Sequence, residues 1–426
     1  MSASSKLGES NLFRAFRSKN YTLYFVGRAV SQFGTWMQRT AVIWLIYSIT
    51  RSAFLLGVTV FAEQFPSFFF SMFGGLAADR YDRYRIIKLT QIGSMVQSVA
   101  LAVLVLSGHT AVWAILALSV LLGVINAFDV PARQALVHDV VAEPADLPNA
   151  ISLTTATACL AQLLGPAAAG LILNAYGSAD CFLINAASFG GVLVSVILMT
   201  LPPYQRKATG KKIIKELREG LAYVRRTPAV STIIWVLAIV SLFVLPYNTV
   251  LPVFAKIVFH GDASTFGYIT SFVGVGAVVG TIYLAWQKPG AHLRRILFVC
   301  TLILCAGLIG FSLTTSLPAA LAFAALTGFG GIAQFAICNI IVQSESAPGM
   351  RGRAIGIMMM AVFGMTPLGS LLVGAVSQRI GAPVTVLGEG IAGLVVAAVF
   401  SRFLTVRRAV PMPPDATLSS EEIVTE

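Results

Sequence analysis

Gly74-Gly75-Leu76-Ala77-Ala78-Asp79-Arg80-Tyr81-Asp82-Arg83-Tyr84-Arg85 is a short charged turn between two long apolar runs of the sequence. The small residues that lead into the turn allow two helices to approach each other closely. Its Asp and Arg side chains can then hold the helix ends together at a membrane surface. The alternative interpretation is a positive loop that only sets the orientation of the helices.

The composition is that of a membrane protein. Of the 426 residues, 57% are hydrophobic and 11% are charged, and the mean hydropathy is +0.81. Soluble domains carry about 25% charged residues, so most of this chain must face lipid or other apolar segments. The formal charge of +12 is compatible with a nucleic-acid ligand or a membrane surface, and the positions of the basic residues decide between them.

Lys and Arg residues cluster in alternate connections between the apolar runs. The remaining connections hold only Arg51, Lys256 and Arg379. This positive-inside pattern predicts a multi-pass membrane protein with both termini in the cytoplasm, and it excludes a nucleic-acid patch. The basic clusters lie at 6–19, 80–88, 206–226, 288–295, 351–353 and 402–408.

Twelve apolar runs are long enough to span a bilayer, which takes about 20 residues. They lie at 21–49, 53–78, 86–107, 111–137, 148–175, 180–201, 229–254, 264–287, 293–314, 317–343, 353–378 and 383–404. We predict an all-α membrane protein with a tail (1–20), a six-helix half (21–201), a basic linker (202–228), a second six-helix half (229–404) and a tail (405–426). Residues 211–226 of the linker are predicted to form an amphipathic helix on the cytoplasmic face.

The two halves of the sequence look like copies of each other. One register serves a loop and the helix that follows it, which indicates an internal repeat with the solute path between the halves. The glycines aligned by a shift of 204 residues are Gly165 with Gly369, Gly170 with Gly374, and Gly177 with Gly381.

The charged turn resembles the loop between helices 2 and 3 of major facilitator superfamily transporters, a pattern written G-x-L-A-D-[RK]-x-G-R-[RK]. The matching residues are Gly75, Leu76, Ala78, Asp79, Arg80 and Arg83, and Asp82 stands where the family has Gly. Gly165-Pro166 followed by Gly170 resembles the G-P-x-x-G-G pattern of facilitator antiporters, with Ala169 in place of the first Gly of the final pair. This second resemblance favours export.

Two further segments are similar to the bacterial facilitator branch that includes enterobactin-exporter-like and macrolide-efflux proteins. They are Gly34-Thr35-Trp36-Met37-Gln38 and Phe128-Asp129-Val130-Pro131-Ala132-Arg133-Gln134, and the similarity extends over essentially the whole chain. It implies the major facilitator fold of twelve transmembrane helices in two pseudo-symmetric halves, alternating access, and export of small molecules from the cytoplasm in exchange for protons. Facilitators need no partner to build their path, so a monomer is expected.

The first apolar run carries a polar face. Arg28, Gln32 and Arg39 are spaced by four and seven residues, which places them on one side of a helix with Trp36 close by. A charge at the bilayer centre costs at least about 2.5–3.5 kcal/mol, so this face should turn inward. Solute binding is therefore expected at Arg28, Gln32, Trp36 and Gln38. The alternative is that Arg28 snorkels to the cytoplasmic boundary.

Two acidic residues are candidates for proton coupling. Glu63 lies near mid-membrane, where a carboxyl group can alternate between its protonated and charged forms. The alternative for Glu63 is a static ion pair with Arg28 or Arg39. Asp129 is the second candidate, and it lies four residues before Arg133 in the fourth apolar run, so that one helical turn brings the two side chains together.

A gate is predicted at the cytoplasmic ends of the helices. The charge network expected there consists of Asp79, Arg83, Asp129 and Arg133. The Gly-Pro pair in the fifth run should make that helix bendable. The candidate gating residues are Gly75, Asp79, Arg80, Arg83, Arg133, Gly165 and Pro166.

The C-terminal half has few polar residues in its apolar runs. Candidates for lining the cavity are Asn248, Gln334 and Asn339, each of which could instead bond two helices together. Glu345 is expected to pair with Arg351 or Arg353. The sequence assigns no role to Glu389.

No cofactor or metal is expected, because the five cysteines lie in apolar runs and the four histidines are scattered. No ATP-binding loop and no nucleophile–base set is recognisable, so we predict a proton-driven transporter rather than an enzyme. Its expected activity is export of an amphipathic small molecule, either a siderophore-like metabolite or a drug. A nutrient importer of the same fold and a non-transporting sensor are the alternatives.

Overall fold

The computed structural model describes residues 11–200, 213–287 and 292–401. Most of the two predicted tails and part of the linker lie outside these described residues. Within them, twelve long helices and a linker helix, Ile213–Arg226, follow one another. The long helices are α1 Lys19–Thr50, α2 Ala53–Arg80, α3 Arg83–Leu106, α4 Val112–Val140, α5 Leu147–Ala175, α6 Ser178–Ile197, α7 Pro228–Val258, α8 Ala263–Ala285, α9 Leu293–Leu313, α10 Leu317–Glu345, α11 Arg351–Ile380 and α12 Ala382–Val399.

Eleven of the helices in the described chain, all except α1, are long and apolar enough to cross a membrane. Helix α1 has 32 residues, or about 48 Å at 1.5 Å per residue, which exceeds the ~30 Å of a bilayer's hydrocarbon core. It is less apolar because it carries the face with Arg28, Gln32 and Arg39. It packs against α5 and α6 inside the bundle.

The helix packing repeats between the two halves. Helix α2 packs on α4 as α8 packs on α10, and α3 packs on α6 as α9 packs on α12. Gly177 and Gly381, 204 residues apart, begin α6 and α12 with φ of 101° and 88°, a backbone region that glycine adopts readily. The same turn therefore recurs at the same point of each half.

The halves meet along two helix pairs, α2 with α11 and α5 with α8. The helix ends that carry Arg83, Arg225 and Arg294 define the basic face of the bundle, and the other ends define the opposite face. At the opposite face, Ser52 Oγ lies 3.1 Å from Gln378 Oε1, and Ser264 Oγ donates to the Gly170 carbonyl at 3.3 Å.

Contacts between the halves continue to the middle of the helices. A Cβ on Gly274 would lie 2.8 Å from Leu163 Cα, and one on Gly364 would lie 3.1 Å from the Phe68 ring. Nearer the basic face, a Cβ on Gly75, Gly352 or Gly356 would meet nothing within 4 Å. The described parts of the halves thus touch at the opposite face and in the middle and not at these three glycines, and we call the space between the halves toward the basic face the central cavity.

The linker helix is attached to the C-terminal half. Arg353 Nη1 at the start of α11 donates to Glu219 Oε2 at 2.8 Å, and the Ala347 amide donates to the Tyr223 hydroxyl at 2.9 Å. From the sequence, Arg351 or Arg353 was expected to pair with Glu345. The structure pairs Glu345 with Arg294 instead, because the two side chains come from the adjacent ends of α10 and α9.

Candidate functional site

Helix α1 has three different sides, and they determine which residues face the cavity. The side with Gly27 and Gly34 packs on α6, where a Cβ on Gly27 would lie 2.8 Å from Ser195 Oγ. A second side, with Val30 and Met37, lines an apolar groove shared with α5 and α6. The remaining side of the helix carries Arg28, Gln32, Trp36 and Arg39, all half-buried. This polar side points to the space between the halves.

An ion pair lies near the middle of this polar side. Arg39 Nε is 3.4 Å from Glu63 Oε1 on α2, with 31% of the Arg39 side chain and 17% of the Glu63 side chain exposed. The Arg39 guanidinium also lies over the Trp36 ring, 5.6 Å from its centroid, an arrangement that favours a cation. Of the two partners that the sequence analysis considered for Glu63, the structure selects Arg39.

Two more residues of the predicted solute site stay available for a ligand. Arg28 makes no ion pair within the described part of the chain, and Gln32 lies one helical turn further along the same side. Across the cavity, Asn248 is exposed on a short 3₁₀ turn, Leu245–Val250, that interrupts α7. This turn packs against α2, so it faces the other half.

Gln38, predicted to bind solute, lies elsewhere. It is 2% exposed, and its Oε1 accepts from Ser98 Oγ at 2.6 Å and from Asn185 Nδ2 at 2.8 Å. Its Nε2 donates to Gln97 Oε1 at 2.9 Å. This corrects the prediction: Gln38 joins α1 to α3 and α6, because it points to the side with Gly34. The polar Asn185 in the apolar α6 was the sequence signal for this network.

Asp129, the second proton candidate, is enclosed by donors. Its Oδ2 accepts from Arg133 Nε at 2.5 Å, and its Oδ1 accepts from Thr90 Oγ1 at 2.6 Å and Gln91 Nε2 at 3.0 Å. Asp129 and Arg133 are 7% and 8% exposed. The pair is therefore a buried joint between α3 and α4 within one half, away from the cavity.

The predicted four-residue charge network divides into separate pairs. Arg83 Nη1 donates to Asp139 Oδ2 at 2.8 Å and to the Ala135 carbonyl at 3.3 Å, whereas Arg133 pairs with Asp129. Asp139, which the sequence analysis did not name, lies in the last turn of α4. The C-terminal half repeats this latch, because Arg294 at the start of α9 pairs with Glu345 at the end of α10.

The other predicted gating residues occupy different surroundings. Asp79 and Arg80 are exposed at the end of α2. Gly75 faces open space, and it is Gly74 whose added Cβ would overlap the Ala127 carbonyl on α4. The close helix approach predicted for the turn is thus made by Gly74, one residue earlier, because that position faces α4.

The Gly165-Pro166 pair lies where α5 crosses two other helices. A Cβ on Gly165 would lie 2.7 Å from Trp36 Cβ, so this glycine brings α5 onto α1 beside the Arg39 site. The Pro166 carbonyl faces Gly267, where an added Cβ would lie 2.5 Å away. The pair therefore connects the N-terminal half to α8 of the other half.

The remaining predicted residues lie on α10. Gln334 is 1% exposed, and neither of its amide atoms has a partner in the described chain. Helix α10 has the length of α4 and begins 205 residues later, so Gln334 occupies the place of Asp129. Gln334 is consequently a buried residue and does not line the cavity, which corrects that prediction. Asn339 is half-buried, and its Oδ1 accepts from Gln343.

Known proteins resemble this chain over nearly its full length. Residues 10–422 match the family described as transmembrane secretion effectors. The staphyloferrin A transporter of Staphylococcus aureus is 25% identical over 390 residues, covering 89% of this chain and 95% of that protein. The multidrug efflux pump Tap of Mycolicibacterium fortuitum is 24% identical over 355 residues, covering 81% and 86%.

A solved structure shares the fold. The bacterial homologue of the human lysosomal transporter Spinster superposes with a TM-score of 0.68 at 15% identity, covering 92% of this chain and 99% of that one. The predicted facilitator fold and the predicted bacterial branch are thereby confirmed. The related proteins are transporters and not enzymes. This chain belongs to the transmembrane secretion effector family of the major facilitator superfamily.

Proposed function

We propose that this transporter exports an amphipathic, anionic small molecule from the cytoplasm in exchange for protons. The observation that carries the proposal is the Arg39–Glu63 ion pair, which is partly exposed on the polar side of α1. The basic face is taken as cytoplasmic, with both termini on that side, because of the positive-inside pattern. One chain supplies the whole path, so we propose a monomer in the bacterial inner membrane.

The cavity chemistry supports the solute class. Arg28 and Arg39 offer cationic groups, Gln32 and Asn248 offer amides, and Trp36 offers an aromatic face. A solute with carboxylate and apolar parts would use all three kinds of contact. Two relatives point the same way, since one is named for the transport of staphyloferrin A and another for multidrug efflux.

Glu63 is proposed as the coupling acid in preference to Asp129. Glu63 has one cationic partner, at 3.4 Å, and touches the cavity, whereas Asp129 has three donors and is nearly enclosed. Binding a proton neutralises Glu63 and breaks its ion pair with Arg39, and release of the proton restores the pair. Occupancy of the site by a proton and by solute is thus coupled through one arginine.

The test uses purified protein in inside-out vesicles with a pH-sensitive dye, a preset proton gradient, and a panel of siderophores and lipophilic drugs. Wild-type protein should release protons from the vesicle lumen when a substrate is added. Glu63→Gln should abolish this proton release and still bind the substrate, because the neutral amide leaves Arg39 available.

The Asp129→Asn variant separates the two candidate acids. It should retain gradient-driven transport at a level matching its folded amount, measured by size-exclusion chromatography. Proton release that survives in Glu63→Gln and disappears in Asp129→Asn would transfer the coupling role to Asp129. A wild-type protein that moves no compound of the panel would contradict the proposed export.

A further inference from the structure

Glu389 is a buried acid without a partner. It is 5% exposed in α12, and neither carboxyl oxygen has a hydrogen-bond partner among the described residues. Gly390 and Gly393, which follow it within one helical turn, bring α12 onto α9, where an added Cβ would lie 2.7 Å from Ile309 Cγ1 and 2.5 Å from Cys305 Sγ. An ionised carboxylate needs donors, so this site accommodates the neutral acid.

The residue that corresponds to Glu389 in the other half is held in a hydrogen-bond network. Helix α12 begins 204 residues after α6, so Glu389 corresponds to Asn185. Asn185 donates to Gln38 Oε1 at 2.8 Å and accepts from Ser188 Oγ at 3.0 Å. One half thus holds an amide in a bonded network, and the other holds an ionisable group with none.

A polar turn packs on the helix that carries Glu389. It is the 3₁₀ turn Leu245–Val250, which interrupts α7 and packs on α12 as well as on α2. Tyr247 of this turn is 4% exposed, and its hydroxyl donates to Thr327 Oγ1 at 3.3 Å. The next residue, Asn248, is exposed. The turn beside the buried acid therefore carries one buried hydroxyl and one exposed amide.

We propose that Glu389 is a second proton-exchange site, which gives up its proton to water that reaches it from the central cavity past Tyr247 and Asn248. In this step the carboxyl O–H bond breaks, its electron pair stays on Glu389, and the proton leaves to water. The Tyr247 hydroxyl turns from Thr327 to donate to the carboxylate. The transport role of the site rests on the proposed proton-coupled function, which it extends to the C-terminal half.

Few other ionisable groups surround the site. Of the described residues on the helices packed against α12, Tyr247 of α7 and Cys305 of α9 are the titratable ones that face it. The charged residues of α11 lie at its two ends: Arg351, Arg353 and Arg379. Protonation changes at Glu389 are thus separable from those of other acids.

The test is infrared difference spectroscopy of the reconstituted full-length protein during a pH change, with solute transport measured on the same vesicles. Wild type should show a protonated-carboxyl band that responds to pH. Glu389→Gln should lose this band, and Asp180→Asn, an acid-to-amide change in the first turn of α6, should keep it. Tyr247→Phe should keep the band and slow its response.

Transport distinguishes this inference from the proposed function. Glu389→Gln should lose gradient-driven uptake and keep solute-for-solute exchange, which needs no net proton movement. If the band is absent or does not respond to pH, or if Glu389→Gln keeps gradient-driven uptake, the inference fails. If wild type shows the pH-sensitive band and no proton-driven transport, the proposed function fails and proton exchange at Glu389 stands. If Glu389→Gln does not fold, Tyr247→Phe tests the inference instead. A slower response of the carboxyl band to pH supports it, and an unchanged response contradicts it.

Discussion

At the scale of single residues, the N-terminal half contains two ion pairs in different environments. The Asp129–Arg133 pair is held within one half by additional hydrogen bonds from Thr90 and Gln91. The Arg39–Glu63 pair has cavity on one side. A buried pair with all its donors satisfied resists change, whereas a partly exposed pair can exchange partners. This difference is the reason for proposing Glu63, and not Asp129, as the acid that exchanges a proton.

Breaking the buried pair should be costly because it leaves a charge alone. Asp129→Ala would strand Arg133, which is 8% exposed, at a cost of about 3–5 kcal/mol. The double variant with Arg133→Met should recover most of the loss. Thermal unfolding in detergent measures both. Asp139→Ala is the matched control, since its side chain is 43% exposed and such pairs contribute about 0–1 kcal/mol. Equal losses in all three variants would contradict the buried-joint interpretation.

Sequence reasoning placed residues on the sides of a helix better than it identified their partners. The spacing of Arg28, Gln32 and Arg39 predicted the inward side of α1, because helical periodicity depends on the local sequence. The Gln38 network and the Arg83–Asp139 latch depend on which helices become neighbours. That information lies in tertiary packing, where the partner of Gln38 on α6 is 147 residues away.

At the scale of helices, the charged turn owes its geometry to one glycine. Helices α2 and α4 pack along much of their length, and at Gly74 the backbone of α4 occupies the space that a side chain would need. Gly75 next to it faces open space. The two adjacent glycines therefore differ: Gly74 allows α2 to pack closely on α4, and Gly75 faces open space.

Adding one methyl group at each glycine tests this assignment. Gly74→Ala should place Cβ against the Ala127 carbonyl and destabilise the protein by about 1–3 kcal/mol, the usual cost of overpacking. Gly75→Ala meets nothing within 4 Å and should leave the unfolding temperature unchanged. The comparison requires only thermal unfolding of the two variants. A larger loss of stability for Gly75→Ala than for Gly74→Ala would contradict the assignment of the α2–α4 contact to Gly74.

The helices themselves were largely predictable. The run at 53–78 became α2 Ala53–Arg80, and the run at 317–343 became α10 Leu317–Glu345. Hydropathy marks such segments because lipid requires an apolar surface and an internally bonded backbone. The interruption of α7 at Leu245–Val250 was not predicted. Pro246 is its sequence signal, because proline lacks the N–H of a regular helical bond.

At the scale of the whole molecule, the two halves are connected by contacts at the opposite face and in the middle. Ser52 meets Gln378, and Gly170 meets Ser264. Alternating access requires these contacts to separate while the basic ends approach each other. The Arg83–Asp139 and Arg294–Glu345 latches each lie within one half. Each half can therefore rotate without breaking them.

Joining the halves covalently at the opposite face should stop this motion. Ser52→Cys combined with Gln378→Cys, cross-linked by a short bifunctional reagent, should retain substrate binding from the basic side and lose transport. Cleavage of a reducible cross-linker should restore transport. Each single-cysteine variant controls for labelling of the native thiols, four of which are buried. Transport by the cross-linked protein would show that the opposite face need not open.

The polar character of α1 also has a consequence for biosynthesis. This helix is made first, yet Gln38 receives its hydrogen bond from Asn185 only after 147 further residues are translated. Until α6 arrives, α1 has the Gln38 amide without its partner on α6, and it carries Arg28 and Arg39 on a segment less apolar than the described membrane-spanning helices that follow. The first six helices are thus the smallest nascent unit in which α1 is fully accommodated, and the ribosome completes that unit before it begins the second half.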